Sequence, residues 1–183
     1  MRVERLHAAY RIDVKYTHFP LHPDTPEEGL TLEQLFAGLE MDIPAVKTRI
    51  ARLMAEEGLP YGDRTMTYNS RLAQELAKWA ETQPGSGAIH DALFRAYFVD
   101  GRNIARVDTL VEVAQQIGLD GDQGRKVLES GRFKDAVDAD WQRSVNLGVT
   151  GVPTFLVGDR AVVGAQPYEV LEELVAGAGA KSA

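Results

Sequence analysis

The chain of 183 residues contains no cysteine. Disulfides, thiolate metal ligands and a cysteine nucleophile are therefore excluded within these residues. Basic residues are also in short supply, 20 Lys and Arg against 27 Asp and Glu, for a formal charge of −7 and a pI near 5.1. A surface that neutralises phosphates needs clustered Lys and Arg, so no nucleic-acid partner is expected. No apolar run approaches the ~18 residues that a membrane span requires. The opening MRVERLHAAY is charged and lacks the apolar stretch of a signal peptide, so no membrane partner and a cytoplasmic location are expected. What is present is the balance of a chain that collapses around a core, 44% hydrophobic and 26% charged residues. Its length fits one domain, or a small core carrying a large insertion.

In VERLHAAY, Val3, Leu6 and Tyr10 recur at helical spacing, which reads as the end of a helix. Ile12-Asp13-Val14-Lys15-Tyr16 then alternates apolar and polar residues as a half-buried strand does. Pro20, Pro23 and Pro26 each lack an N–H and bias their predecessors away from helix, so this stretch reads as an irregular crossing. From Thr31 to Leu147 helix dominates. Thr31 with Gln34 has the form of a capping box ahead of Leu32, Leu35 and Leu39. Helices are predicted over 43–57, 69–81, 86–99, 107–117, 120–130 and 133–147, with Gly58, Gly118, Gly131 and Gly148 as stops. Strand chemistry returns in Thr154-Phe155-Leu156-Val157, and the turn dipeptide Gly158-Asp159 leads to a second strand over 161–163. Pro167 opens a last helix whose apolar face carries Val170, Leu171, Leu174 and Val175. The order predicts an α/β fold with a core over 1–30 and 145–183, interrupted by a helical insertion over 31–144. A strand following a helix near the start usually belongs to a βαβ unit, and the first strand of that unit has no counterpart here.

Gly148-Val149-Thr150-Gly151-Val152-Pro153-Thr154-Phe155 closely resembles the Gly-Val-x-Gly-Val-Pro-x-Phe stretch of DsbA-like thioredoxin-fold proteins. The resemblance is narrower still to their FrnE-like branch, a relative of 2-hydroxychromene-2-carboxylate isomerase. Other segments match in order along the chain. Phe19-Pro20-Leu21-His22-Pro23 resembles Phe-x-Leu-Asn-Pro, and Gly58-Leu59-Pro60-Tyr61 resembles Gly-Leu-Pro-Phe. Asn69 to Leu76 is similar to Asn-Thr-x-x-Ala-His-Arg-Leu. Phe94 to Phe98 followed by Gly101-Arg102-Asn103-Ile104 is similar to Phe-x-Ala-Tyr-Phe…Gly-Arg-Asp-Ile. Gly164-Ala165-Gln166-Pro167 matches the family's segment before the last helix. The resemblance implies a thioredoxin-like mixed sheet and a cis Val152–Pro153 bond facing a redox site. It also implies a substrate-binding loop at Val152, Pro153 and Thr154, which would take a thiol- or disulfide-containing peptide or glutathione in the manner of edge-strand addition.

Two departures matter. Gln74 and Glu75 stand where the family carries His-Arg. The family also begins with a strand leading to Cys-x-x-Cys at a helix N-terminus, where the helix dipole stabilises the first thiolate. This sequence begins at what would be the middle or end of that helix. Residues missing through an alternative start, a mis-assigned start or truncation explain the difference more economically than mutation. The expectation is a member of a disulfide oxidoreductase family with no catalytic residue, no cofactor and no thiol–disulfide exchange of its own. A glutathione-dependent isomerase or transferase shares the fold, and a non-catalytic binding module is a third reading. An absent first strand would leave its neighbour with an unpaired edge, implying a homodimer joined there or an aggregation-prone chain. His18 and His22 lie four apart on a proline-broken segment without a third ligand, so no metal site is expected. His90 reads as a surface or packing residue rather than a base, and the pair Glu172-Glu173 as the solvated face of the last helix. Asp138 and Asp140 flank no second carboxylate cluster that would suggest hydrolysis, while Trp79, Tyr97, Phe98 and Trp141 read as core.

Overall fold

The computed structural model describes residues 2–183, without the side chain of Ser86. It has an α/β fold with a helical insertion, divided into two compact units: residues up to Leu21 with Asp140–Ala183, and His22–Ala139. Both boundaries fall earlier than the sequence places them, and hydrogen bonds explain the difference. In the first unit, the Asp140 carboxylate accepts from the His18 N–H (3.0 Å) and the Ser144 hydroxyl donates to the His18 carbonyl (3.2 Å). In the second, the Asn69 amide donates to the carbonyls of Pro23 (2.9 Å) and Thr25 (2.8 Å), and Asn103 to that of Glu27 (2.9 Å). The proline-rich crossing, unable to make its own ladder, is thus claimed by side chains at both ends.

In the first unit, helices α1 (Arg2–Ala9) and α9 (Tyr168–Gly177) bury Leu6, Leu171 and Val175. Strands β3 (Thr154–Val157) and β4 (Arg160–Val163) form an antiparallel hairpin, in register from Thr154 opposite Val163 to Val157 opposite Arg160. Side chains alternate across a strand, so Phe155, Val157 and Val162 pack on that cluster while Leu156 and Val163 face outward. The expected strand at 12–16 does not form. Ile12 packs on the cluster, but no ladder joins Asp13, Val14 or Lys15 to a neighbour among the described residues, and Val14 is exposed. Alternation supplies a strand's side chains, but a strand also needs a neighbouring backbone.

The second unit is mostly helix: α2 (Leu32–Leu35), α3 (Ile43–Glu56), α4 (Arg71–Ala80), α5 (Ile89–Phe94), α6 (Val107–Gln116), α7 (Gly121–Ser130) and the first turns of α8 (Lys134–Asn146). The predicted capping box at Thr31 and Gln34 is present. Two short strands that sequence did not signal, β1 (Leu30–Thr31) and β2 (Met66–Thr67), pair antiparallel. The core joins Leu76 and Trp79 of α4 with Ile89, Leu110, Val113 and Leu128. Arg71 fastens the start of α4 to the start of α8. It donates to the buried Glu75 carboxylate (3.0 Å), to Asp138 (2.6 Å) and to the Lys134 carbonyl (2.9 Å). Removing one partner of a buried pair strands the other charge, so Arg71→Ala is expected to cost about 3–5 kcal/mol in urea unfolding. The double change Arg71→Met with Glu75→Leu is expected to recover most of that loss.

Candidate functional site

The segment between α8 and β3 carries the three residues singled out from sequence. The Thr154 hydroxyl donates to the Gly151 carbonyl (2.7 Å), closing a tight turn over 151–154. The Gly164 N–H, just past β4, donates to the Pro153 carbonyl (2.7 Å), tying the turn to the hairpin. The Val152–Pro153 peptide bond is cis. Val152 stands at the tip, 51% exposed, and its N–H and C=O have no hydrogen-bond partner among the described residues. The Gly164–Pro167 segment supports the turn from behind. Gln166 Nε2 donates to the Val163 carbonyl (2.5 Å), and Arg2 Nη1 donates to the Gln166 carbonyl (2.7 Å). Two sequence segments picked out separately therefore form one structure. With the Thr154 hydroxyl committed to Gly151 and no thiolate in the chain, the turn offers backbone groups but no nucleophile.

Nearby in the same unit, Glu172 is more than a solvated surface acid. It accepts from the hydroxyls of Tyr10 (3.3 Å) and Tyr168 (3.2 Å). Burial, then the Glu172 carboxylate, raises the Tyr10 pKa, and burial with the same carboxylate raises that of Tyr168, so both phenols stay protonated at neutral pH.

The remaining family-like segments meet in the second unit. Gly62, just after Gly58-Leu59-Pro60-Tyr61, donates its N–H to the Phe98 carbonyl (2.9 Å), and a Cβ there would run into the Val99 carbonyl, so glycine is required. The helix expected over 86–99 changes pitch and becomes a π-helix at Arg95–Val99. Trp79 is core as expected, whereas Tyr97 and Phe98 are only half-buried. His22 meets Phe36 edge-on, and burial followed by the nearby Arg64 charge lowers its pKa. No group of three His, Asp or Glu able to hold a metal ion occurs among the described residues, nor does any helix there have the length and apolarity to cross a membrane.

A hairpin entered through a Val–Pro turn and packed on α1 and α9, with a helical insertion in the chain between α1 and the hairpin, places the chain among thioredoxin-like proteins. It belongs to the DsbA-like thioredoxin domain family, whose match runs over residues 1–176. A probable DsbA oxidoreductase from Streptomyces coelicolor superposes with a TM-score of 0.88 at 30% identity, over 97% of this chain and 81% of that one. A 2-hydroxychromene-2-carboxylate isomerase shares the fold, with a TM-score of 0.73 at 21% identity over 97% and 85% of the two chains. The cytosolic disulfide reductase DsbM from Pseudomonas aeruginosa, in its structure with GSH, gives 0.54 at 27% identity over 80% and 74%. The uncharacterized protein YwbO of Bacillus subtilis is 31% identical over 105 residues, 57% of this chain, and the chain spans about half (52%) of YwbO's length.

One charge in the insertion sets a pH dependence. The hydrogen-bonded Arg71 guanidinium holds the Asp138 carboxyl below the usual carboxylate range. A group whose folded pKa is depressed contributes its stability above the unfolded value, about 3.9 for Asp, and loses it as pH falls through the folded value. Asp138→Asn is expected to lower stability at neutral pH and to flatten the acid limb. The stability gap between the two proteins, read by urea unfolding along a pH series, should close as the pH falls below that of a free carboxyl.

Proposed function

We propose that this chain is the partner-holding part of a DsbA-like disulfide oxidoreductase of the FrnE-like branch, working in the cytoplasm. Val152, Pro153 and Thr154 receive an extended thiol- or disulfide-containing peptide, or glutathione, and supply no attacking group. The observation that carries this reading is Val152, whose backbone N–H and C=O are unbonded at an exposed tip while both of its C-terminal neighbours are fixed. An extended chain laid alongside satisfies both groups as an added strand does. The likeness to the probable DsbA oxidoreductase, at 30% identity across nearly the whole chain, supports the family function. DsbM, named as cytosolic and solved with GSH, supports the compartment and a small thiol ligand. Exchange chemistry requires a thiolate from elsewhere, because exchange proceeds by thiolate attack on a disulfide sulfur. The isomerase reading rests on shared fold alone, and no feature of the turn favours it.

The test is a titration of the folded chain with oxidised glutathione, followed by backbone amide NMR. Saturable shifts at Gly151, Val152 and Thr154, with no acceleration of insulin reduction by dithiothreitol, are the expected result. Amides at the turn that do not respond to glutathione or to a disulfide-bearing peptide would sink the proposal.

A homodimer belongs to the same proposal. Asp13, Val14 and Lys15 carry backbone groups outside any ladder, Val14 is 43% exposed, and Leu156 and Val163 present apolar surface on the hairpin's outer face. Open edges with apolar side chains recruit further strands. Sedimentation velocity is expected to show a two-chain species at micromolar concentration, and a monodisperse monomer there removes this part of the proposal.

A further inference from the structure

Arg64 lies in the second unit, just before β2, and no sequence motif drew attention to it. Its guanidinium carbon sits 4.8 Å from the centroid of the Tyr97 ring and 5.5 Å from that of Phe98. Nη1 donates to the Met66 carbonyl (3.3 Å) and to the Tyr97 hydroxyl. That hydroxyl also meets the hydroxyl of buried Thr67 at 3.0 Å. The π-helical turn at Arg95–Val99 carries Tyr97, and the aromatic pair Tyr97 and Phe98 packs edge to face, centroids 4.7 Å apart. One edge of the guanidinium is therefore fixed by carbonyl and phenol.

The other edge is different. Nε is buried and finds no acceptor, and Nη2 makes no hydrogen bond among the described residues. Nor does any carboxylate form an ion pair with Arg64 there, although acids outnumber bases 27 to 20 in the chain. Among the nearby titratable groups, His22 has its cationic form disfavoured by burial and then by the Arg64 charge. A guanidinium keeps its charge at any physiological pH, and a buried donor left without an acceptor is destabilising. Parallel donors on Nε and Nη2 match the two oxygens of a carboxylate or phosphate, and the fork is already oriented by its opposite edge. Single turns of π-helix also concentrate at sites that bind or react.

We propose that Arg64 anchors a small-oxyanion site in the helical unit. The Nε–Nη2 edge takes a carboxylate or phosphate group, while Nη1 stays with Tyr97 and the Met66 carbonyl and holds the guanidinium plane. The site stands independently of the Val152 turn. Arginine-selective ¹H–¹⁵N spectra of the full chain, titrated separately with acetate and with inorganic phosphate at constant ionic strength, test it. One of the two is expected to move the Arg64 Nε–Hε signal saturably, which identifies the oxyanion, while exposed Arg49 and Arg52 respond only in proportion to concentration. Arg64→Lys keeps the charge and loses the fork. Read by the backbone amides of Met66 and Thr67, which both proteins carry, its binding is expected to weaken about tenfold, the worth of one charge-assisted hydrogen bond. An Arg64 signal that stays still or drifts without saturating in both titrations overturns the proposal, since water then serves Nε. Unchanged affinity in Arg64→Lys overturns it as well, and if that variant does not fold, the wild-type titration decides.

Discussion

A peptide group taken out of water has to find a partner, and the segments of this chain meet that demand in different ways. Its helices satisfy their own amides. The proline-rich crossing does so only in part, and its carbonyls at Pro23, Thr25 and Glu27 are taken by the amides of Asn69 and Asn103, and the His18 N–H by the Asp140 carboxylate. At Val152 the neighbouring carbonyls are taken internally by Thr154 and Gly164, which leaves the Val152 groups facing outward. The chemistry offered to a partner is thus what remains after the fold has used the rest.

Much of this was legible from residue order. Glycines after 57, 117, 130 and 147 mark where helices end, because they adopt the left-handed backbone at φ of +62° to +82°. The hairpin, its turn at Gly158-Asp159 and the Val–Pro entry also follow from sequence. What escaped depends on partners distant along the chain. The alternation at Ile12–Tyr16 has the side chains of a strand but no ladder to join. The two-residue strands at Leu30–Thr31 and Met66–Thr67 are too short to show a period, and they pair because the crossing and the α3–α4 connection happen to lie side by side. Tyr97 and Phe98 sit at helical spacing, yet in the π-helical stretch both stay only half-buried, Tyr97 packing against the edge of the core. Arg64 carried no motif at all; its surroundings come from residues some thirty positions later.

Two of the half-buried arginines in the second unit are treated in opposite ways. Arg71 is surrounded by acceptors: Glu75, which replaces a basic residue of the family pattern, then Asp138 and the Lys134 carbonyl. Its charge is spent on holding α4 and α8 together, and the departure from the family at Glu75 becomes a structural ion pair. Arg64 has aromatic faces, one phenol and the Met66 carbonyl instead, and no carboxylate among the described residues. Aromatic rings stabilise a cation without neutralising it, so the electrostatic field of that guanidinium is still available to a ligand, whereas the field of Arg71 is cancelled inside the fold.

Helix α3 illustrates how local signals and tertiary support come apart. Its start is well specified, with the Asp42 carboxylate accepting from the Ala45 N–H (2.9 Å) and Pro44 in the first turn, yet none of its 14 residues is buried. Isolated helices of that length are marginal in water, and most helices in proteins owe their persistence to a packed face. With that face absent, α3 can unravel and re-form while the Leu76–Leu110 core stays closed. Its amides therefore exchange hydrogen with solvent early, and a protease meets its first cleavable stretch of backbone there.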